Sequence, residues 1–551
     1  MTSVLRSVLV RGCGAVLALA LMCGLSTLLR AQDVASLTGV VTDATGAVVP
    51  DVDVKLLDTK TNATFETKTN SLGAYQFVKL LPGPGYKLTF SKQGFSTLTI
   101  PDIYLATGNS HTQDAHLAVG ALSETVEVKG EGGAVSLDTT DTAVSTDFDM
   151  TLTHELPVQL RDNPAALMTL QPGVVSVGAG SGSDTNFTRA GAVTGARDDQ
   201  NNVTVDGLDV NDFGTGQAFV VNGNAPVDSI QEFRGESANP LSAEGRGSGA
   251  QIALTTKSGT NTWHGAADEY NRVRAYAANR YFNNLNGLPR TPLIRNQFGA
   301  EVGGPVLKDK LFFFFDYFGR RDNQGVSVEN IVPLDTWRGD GTSSTPGIPQ
   351  VGYINNGAGC TNASRANTTP GCISYIPNTA ASGQTLTGLD PQGTGSSSAL
   401  LAFINGRYPH ANDLGVGDGI NTGGFRFNTP AHLTENAYIG RIDYNLSSKM
   451  RLFGRFTILR QNTDDDVNFP APVQFPGDPL THAIIDTSYA YVIGHTWTIS
   501  NTKVNQFVYG ETKQQLNFPT LFNPTGFIQN QNFGNVTAPF SNPASQGRTV
   551  P

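Results

Sequence analysis

The stretch that decides the fold runs from Ala225 to Tyr270 and reads APVDSIQEFRGESANPLSAEGRGSGAQIALTTKSGTNTWHGAADEY. It contains two short runs typical of strands, Ser229–Arg234 and Ala250–Thr256, separated by a passage rich in glycine and serine. Lys257–Asn261 then predicts a turn. The sequence before this stretch is mixed in pattern, whereas the sequence after it alternates over long distances. The stretch therefore predicts the junction between a globular module and a large antiparallel sheet.

The clearest alternation after this junction runs from Asn436 to Arg460 and turns at Ser447–Lys449. Apolar or small residues on one side and polar residues on the other predict a hairpin that crosses a membrane in about ten residues per strand. The predicted lipid-facing residues are Tyr438, Gly440, Ile442, Tyr444, Leu446, Leu452, Gly454, Phe456 and Ile458, and the predicted inward residues are Ala437, Ile439, Arg441, Asp443, Asn445, Arg451, Arg455 and Thr457.

Two further segments support a β-structure in a membrane. Tyr489–Ile499 and Val504–Gly510 predict a second hairpin, and the aromatic run Phe312–Phe315 suits either an interfacial girdle or a buried sandwich strand. Long polar segments separate the hairpins, at Asn323–Phe425 and Asn462–Asp486. We count about six to eight strands after Trp263, and an open edge does not lie in lipid. We therefore expect the N-terminal part of a longer barrel.

Several motifs resemble TonB-dependent outer-membrane receptors of the Oar-like type. They are DSIQEF and TKSGTNTWHG within the opening stretch, GARDDQNNVTVDGLDVND at 195–212, and RNQFGAEVGGPVLKDKLFFFFDYFGRR at 295–321. The resemblance implies an α+β plug domain at 138–256 and a partial antiparallel transmembrane β-barrel at 263–551. It also implies that a TonB-type protein in the periplasm moves the plug.

Within the plug, Asn163 is placed to cap a short helix that begins at Pro164. The acidic cluster of Asp206, Asp209, Asn211 and Asp212 either binds calcium or forms a turn capped by its own side chains, and its spacing favours the turn. Charges alternate along the plug, and we expect them to face polar barrel walls. They are Arg189, Arg197, Arg234 and Arg246 with Asp184, Asp198, Glu232 and Glu244.

The N-terminal residues predict an exported protein. Basic residues flank an apolar run in residues 1–31, which predicts a signal peptide, although Cys23 leaves a lipoprotein as the weaker alternative. Residues 35–119 predict short strands with regular turns. Their GVVTDATGAVVPDVDV, TNSLGAYQF and LPGPGYKL motifs resemble carboxypeptidase regulatory-like domains, which implies a transthyretin-like β-sandwich with an accessory role and no peptidase activity.

Residues 121–133 contain the extended segment Glu124, Thr125, Val126, Glu127 and Val128, followed by glycines. The simpler interpretation is a last sandwich strand or a linker. By its resemblance to the family's motif and its position before the plug, ETVEV is also a candidate TonB box, which a TonB-type protein would bind by strand addition. Cys360 and Cys372 lie in the longest predicted loop, and we expect a disulfide there because the segment is predicted to be exported, with two unrelated thiols as the alternative.

Composition and charge exclude some functions. Charged residues make up only 15% of the 551, and the net charge of −10 comes without a long basic run, so nucleic-acid binding is not supported. Neither a catalytic constellation nor a metal or cofactor motif is recognisable, which disfavours an exported hydrolase. The main expectation is a TonB-dependent outer-membrane receptor that imports an external solute such as a siderophore, glycan or peptide. The alternative is a secreted or surface-attached β-sandwich adhesin that binds carbohydrate.

Overall fold

The computed structural model is mainly β and consists of an N-terminal sandwich, a mixed central unit and a long antiparallel sheet, which confirms the predicted fold class. It describes residues 35–108, 110–120, 125–127, 144–155, 158, 160–177, 190–197, 200–211, 225–239, 247–279, 281, 284, 289–338, 350–354, 373–377, 404–418, 421–464, 475–476, 478, 483–500 and 503–519. Among these residues, every helix is too short or too polar to cross a membrane.

The N-terminal unit is a sandwich of two sheets. Its strands are β1 (Ala35–Asp43), β2 (Asp53–Asp58), β3 (Thr64–Lys68), β4 (Ala74–Leu80), β5 (Gly83–Ser91), β6 (Thr97–Leu105), β7 (Ser110–Thr112), β8 (Ala115–Leu117) and β9 (Thr125–Glu127). One sheet has the order β4-β1-β7, with β8 also paired to β1, and the other has the order β3-β2-β5-β6-β9. Alternation along β2 sends Val54 and Leu56 into the core, which they share with Leu37 and Val41 of β1 in the other sheet. Burial of these side chains holds the two sheets together.

The central unit is a five-stranded sheet with short helices on it. Its elements are β10 (Val144–Asp149), α1 (Met150–Glu155), a 3₁₀ helix (Pro164–Leu170), β11 (Val174–Val177), β12 (Ala190–Val193), β13 (Asn202–Val205), β14 (Leu208–Asp209), a 3₁₀ turn (Val227–Ser229), β15 (Ile230–Ala238) and β16 (Gln251–Thr256). The sheet order is β10-β15-β16-β13-β14, with β13 parallel to β16. The predicted helix start is confirmed, because the Asn163 side chain accepts a hydrogen bond from the Ala165 amide.

The C-terminal unit is a meander of long strands. Its elements are β17 (His264–Val273), β18 (Leu293–Leu307), β19 (Leu311–Pro333), α2 (Asp335–Arg338), β20 (Gln350–Ile354), β21 (Ile373–Pro377), β22 (Thr422–Ser447), β23 (Met450–Asp464), β24 (Ala483–Ser500), β25 (Lys503–Lys513) and β26 (Leu516–Asn517). The large sheet has the order β17-β18-β19-β22-β23-β24-β25, and β26 also pairs with β24. β20 and β21 form a separate two-stranded sheet.

The two predicted faces of the large sheet are confirmed. Ile442 is 56% exposed on the outer face, whereas its neighbour Arg441 is 3% exposed on the inner face. The predicted strand ends are wrong, because β19 and β22 remain paired as far as Pro333 and Thr422, well inside the segment expected to be a loop. Backbone pairing beyond the lipid does not require alternating hydrophobicity, so the sequence pattern fades before the strands end.

Candidate functional site

The central unit packs against the face of the large sheet that carries Ile439 and Arg441, and we refer to the two units as the plug and the barrel wall. One residue of the plug that contacts the barrel wall is Asp206, in the tight turn between β13 and β14. Asp206 has a φ of 50°, a left-handed conformation that aspartate tolerates better than most residues. Its carboxylate accepts hydrogen bonds from the Thr256 amide (3.0 Å) and the Thr256 hydroxyl (2.8 Å). Hydrogen bonds within the plug thus hold the Asp206 carboxylate in a fixed orientation.

Asp206 meets two guanidinium groups of the barrel wall. Nη1 of Arg441 lies 2.9 Å from one carboxylate oxygen, and Nε of Arg455 lies 2.8 Å from the other, the latter without hydrogen-bond alignment. The two arginines are opposite each other on β22 and β23. Arg441 also pairs with Asp443 at 2.9 Å, and Asp443 accepts a hydrogen bond from Ser258 of the chain leading into the barrel. We call Asp206, Arg441, Arg455 and Asp443 the Asp206 cluster.

The Asp206 cluster has two positive and two negative side chains, each at most 4% exposed. Desolvation offsets most of the attraction in a buried ion pair, so such a cluster adds little net stability when complete. Removing one partner is costly, because a buried charge is then left without compensation. The cluster therefore specifies the position of the plug but contributes little to the free energy that keeps the plug in the barrel.

A second group of charges forms a similar buried contact near the 3₁₀ helix. Arg320 of β19 pairs with Asp162 of the plug at 3.0 Å and with Asp322 of its own strand at 2.5 Å. Arg295 of β18 approaches the same Asp322 at 3.0 Å. A third contact joins Lys257, just after β16, to Glu301 of β18 at 2.7 Å.

The plug and the wall also share uncharged contacts. The Arg161 amide donates to the Gln297 side chain at 2.9 Å, while the Arg161 guanidinium pairs with Asp228 inside the plug. One apolar side chain of the wall, Ile439, joins the hydrophobic core of the plug. Gly510 of β25 lies so close to Leu208 that an added Cβ would sit 2.7 Å from it. Most of the specific contacts across the interface are thus polar.

The sequence predicted a polar plug interface but assigned it partly to the wrong residues. Arg234 does not face the wall, because it pairs with Glu236 at 2.8 Å and approaches Asp147 at 3.6 Å within the plug sheet. Glu232 instead contacts the sandwich, where it accepts a hydrogen bond from Thr107. Alternation places a side chain on one face of a strand but does not say which unit covers that face. Of the other predicted charges, the structure describes only Arg197, which is exposed; Arg189, Arg246, Asp184, Asp198 and Glu244 lie outside the described residues.

The acidic cluster of the plug divides into two parts. Asn211 donates to Asp209 at 2.6 Å and accepts from the Val203 amide at 3.1 Å, which is the self-capped turn that the sequence favoured. Asp206 leaves this turn and pairs with the barrel wall. Within the described residues, His, Cys, Asp and Glu side chains form no group that could hold a metal ion. Asp212 lies outside the described residues.

The candidate TonB box is only partly described. Thr125–Glu127 form β9, which pairs in parallel with Thr97–Thr99 of β6 at the edge of the sandwich sheet. This is the added strand that the simpler interpretation expected, and an extended edge strand is also the form that strand addition requires. Glu124, Val128, Cys360 and Cys372 lie outside the described residues.

Glu232 lies at the junction of the sandwich and the plug. It is 1% exposed, and Thr107 donates to its Oε2 at 2.8 Å. Burial, with a smaller contribution from Asp147, raises the pKa of Glu232 from 4.5 to about 7 against the opposing effect of hydrogen bonds from Thr107 and Tyr104. Glu232, within the opening stretch, is thus a titratable group between two units.

Comparison with known proteins gives two family matches. Residues 255–550 match the model of an outer membrane beta barrel domain, and residues 36–118 match a carboxypeptidase regulatory-like domain. The TonB-dependent transporter Oar of Myxococcus xanthus is 26% identical over 315 residues, which are 55% of this chain and 28% of that protein. The chain therefore spans less than a third of that relative.

Two solved structures resemble the chain more remotely. The outer membrane transporter YddB from Escherichia coli is 11% identical, with a TM-score of 0.38 over 66% of this chain and 38% of its own. A mutant of the ferric enterobactin receptor PfeA from Pseudomonas aeruginosa is also 11% identical, with a TM-score of 0.35 over 68% of this chain and 41% of its own.

Proposed function

Because the chain belongs to the outer membrane β-barrel domain family, we propose that it is part of a TonB-dependent outer-membrane receptor that imports an external solute. The match of residues 255–550 carries this proposal. In this proposal a solute binds from outside, a TonB-type protein binds the segment Glu124–Val128 from the periplasm, and a pull on that segment moves the plug. The protein would act by binding and gating, without catalysis, and siderophores, glycans and peptides remain the candidate solutes.

The proposed division of the chain follows from the same argument. Residues 1–31 would be a signal peptide, 35–119 the periplasmic sandwich and 121–133 the TonB box with its linker. Residues 138–256 would be the plug, and 263–551 the first part of the barrel in outer-membrane lipid. The adhesin alternative is not proposed, because the larger of the two matched domains is an outer membrane barrel.

The geometry of the plug interface supports gating. Polar contacts such as Asp206–Arg441 and Lys257–Glu301 can exchange one partner for water when the plug moves. A dry apolar contact of the same area would resist separation much more strongly, because it would expose hydrocarbon to water. An ion pair also re-forms in one register, so the plug can return to the same position.

The proposal is tested at the candidate TonB box. Val126→Pro removes a backbone donor and should weaken binding of a purified TonB C-terminal domain by roughly tenfold or more, because strand addition depends on main-chain hydrogen bonds. Gly132→Pro is the matched control in the glycine tail that follows, and should bind as the unchanged protein does. Binding would be measured by titration with the receptor, including its whole barrel, in nanodiscs. Equal affinity for both variants would contradict the proposed role of Glu124–Val128.

A further inference from the structure

The sandwich contacts the barrel wall at the turn between β18 and β19. The Asn62 side chain donates to Asp309 Oδ1 at 2.9 Å, and the Asn261 side chain donates to the same oxygen at 2.8 Å. The Asn261 side-chain oxygen accepts from the Asp309 amide at 2.8 Å, and the Asn261 amide donates to the Lys60 carbonyl at 2.9 Å. One closed set of hydrogen bonds thus joins the sandwich, the turn and the chain that leaves the plug.

A second contact reaches the next turn of the barrel wall, between β22 and β23. The guanidinium of Arg451 lies 5.0 Å from the centre of the Phe65 ring of the sandwich, which is within cation–π distance. The sandwich therefore spans two consecutive turns at the same end of the sheet.

The third contact reaches the plug sheet. Thr107 of the sandwich donates to Glu232 of β15 and lies 3.2 Å from the Thr255 hydroxyl of β16. Between the three contacts is a cavity of about 60 Å³, lined by residues that include Asp58, Gln231 and Gly259. The joint is therefore polar and not tightly packed, which suits surfaces that separate and meet again.

These contacts hold the sandwich against the plug strands β15 and β16 and also against two turns of the barrel wall. We propose that the sandwich is a periplasmic brace, which ties the plug to the barrel when docked and must undock before the plug can move. The brace rests on the proposed function, because plug movement is the gating step of that function. The partner that the docking surface fits is the end of the barrel formed by the turns at Asp309 and Arg451.

The hydrogen bond between Asn62 and Asp309 offers a test by exchange of side chains. Asn62→Asp puts a second carboxylate against Asp309, whereas Asp309→Asn keeps an acceptor for the Asn62 amide and is the matched control. The double variant Asn62→Asp with Asp309→Asn removes the repulsion and restores one donor and one acceptor in the opposite order, but the amide that then donates to position 62 no longer accepts from the Asn261 side chain. Both positions have positive φ angles, 57° and 66°, which Asn and Asp both tolerate, so the backbone need not change.

Docking of the sandwich can be followed by the exchange of the Asn261 amide, because this amide donates a hydrogen bond to the Lys60 carbonyl of the sandwich. In hydrogen–deuterium exchange on the receptor, including its whole barrel, in nanodiscs, Asn62→Asp should raise exchange in the peptide around Asn261 by roughly tenfold. Asp309→Asn should leave exchange unchanged, and the double variant should bring exchange part of the way back to that of the unchanged protein. Thr107→Val, a change of similar shape at the plug contact, should raise exchange in the same direction. Unchanged exchange in both Asn62→Asp and Thr107→Val would overturn the proposal.

Bracing is then measured as the force needed to extract the plug when the linker between the sandwich and the plug is pulled at Gly130. The extraction force should fall in Asn62→Asp and recover in part in the double variant. If Asn62→Asp undocks the sandwich but leaves the force unchanged, the sandwich is only attached and the brace is wrong. This measurement needs no TonB-type protein, so a failure of the Val126→Pro test would reject the proposed function separately and leave the mechanical result standing.

Discussion

The interior of the sandwich and the interface between plug and barrel wall are buried to a similar degree but differ in chemistry. Leu56 and Phe90 in the sandwich are 0% exposed, and so is the side chain of Arg455 at the plug interface. The sandwich excludes water with hydrocarbon, which penalises any opening. The plug interface excludes water with matched charges, which specify one position of the plug but add little net stability. The difference indicates that the sandwich stays folded, whereas the interface between the plug and the barrel wall can open and re-form.

The largest expected effect comes from leaving the arginines of the Asp206 cluster without their carboxylate. Asp206→Asn preserves the shape and the left-handed backbone but removes the charge that compensates Arg441 and Arg455. We expect the plug to lose about 3–5 kcal/mol of stability in the barrel, the usual result of breaking a buried pair. Hydrogen exchange of β13 and β16 measures this loss.

The control for this variant is Asp209→Asn, which removes the same charge from the turn three residues later. Asp209 lies in the self-capped turn, where Asn211 donates to it. Exchange in β13 and β16 should change much less in this control. Equal effects of the two variants would mean that any lost carboxylate loosens the turn, and the special role of Asp206 would be rejected.

A comparable loss is expected in the sandwich from a cavity rather than from a charge. Leu56→Ala should destabilise the sandwich by about 2–5 kcal/mol, because Leu56 is fully buried in its core. Pulse proteolysis of the receptor, including its whole barrel, in nanodiscs should show the sandwich cut at lower urea concentration while β13 and β16 keep their protection. Leu72→Ala, at a leucine that is 70% exposed, should change neither. Loss of plug protection in Leu56→Ala would show that the two units unfold together.

Much of the fold followed from local patterns, whereas the partners across the interface did not. Alternation around Ile439 and Arg441 placed both on the inner face, because a strand has a fixed period of two. The pairing of Arg441 with Asp206 joins residues 235 positions apart, and the contact of Asn62 with Asp309 joins residues 247 apart. No local period encodes such distances. The polar turn after β13 was visible in the sequence, but only the assembled structure shows that Asp206 leaves the turn to meet the wall.

A smaller effect is expected where the sandwich meets the plug, and it depends on pH. Burial raises the pKa of Glu232 to about 7 in the docked protein, and its neighbours include Asp147 and Tyr104. The docked state therefore keeps a proton to about pH 7, whereas a glutamate exposed to water on undocking would release it near the ordinary pKa of 4.5. Docking should weaken as the pH rises from about 4.5 to about 7 and should change little outside this range. The measurement is exchange of the Asn261 amide across this range, after correction for the intrinsic exchange rate.

Glu232→Gln is the matched variant, since it keeps the shape and an acceptor for Thr107 but does not titrate. It should dock as the protonated form does at every pH, so the dependence on pH should disappear. Persistence of the same dependence in Glu232→Gln would assign the titration to another group and reject this role of Glu232.

The smallest effect is expected at an ion pair on the surface of the sandwich. Lys68 and Asp53 are 2.8 Å apart, the same separation as Arg455 and Asp206, but their side chains are 54% and 62% exposed. Solvent screens such a pair, and the two flexible side chains lose freedom when they meet, so Asp53→Asn should leave the urea midpoint of the sandwich unchanged within error. The variant separates burial from distance as the cause of the difference between the two regions. If Asp53→Asn destabilised the sandwich as strongly as Asp206→Asn loosens the plug, contact distance alone would decide the cost, and the charged interface could no longer be called distinct for being buried.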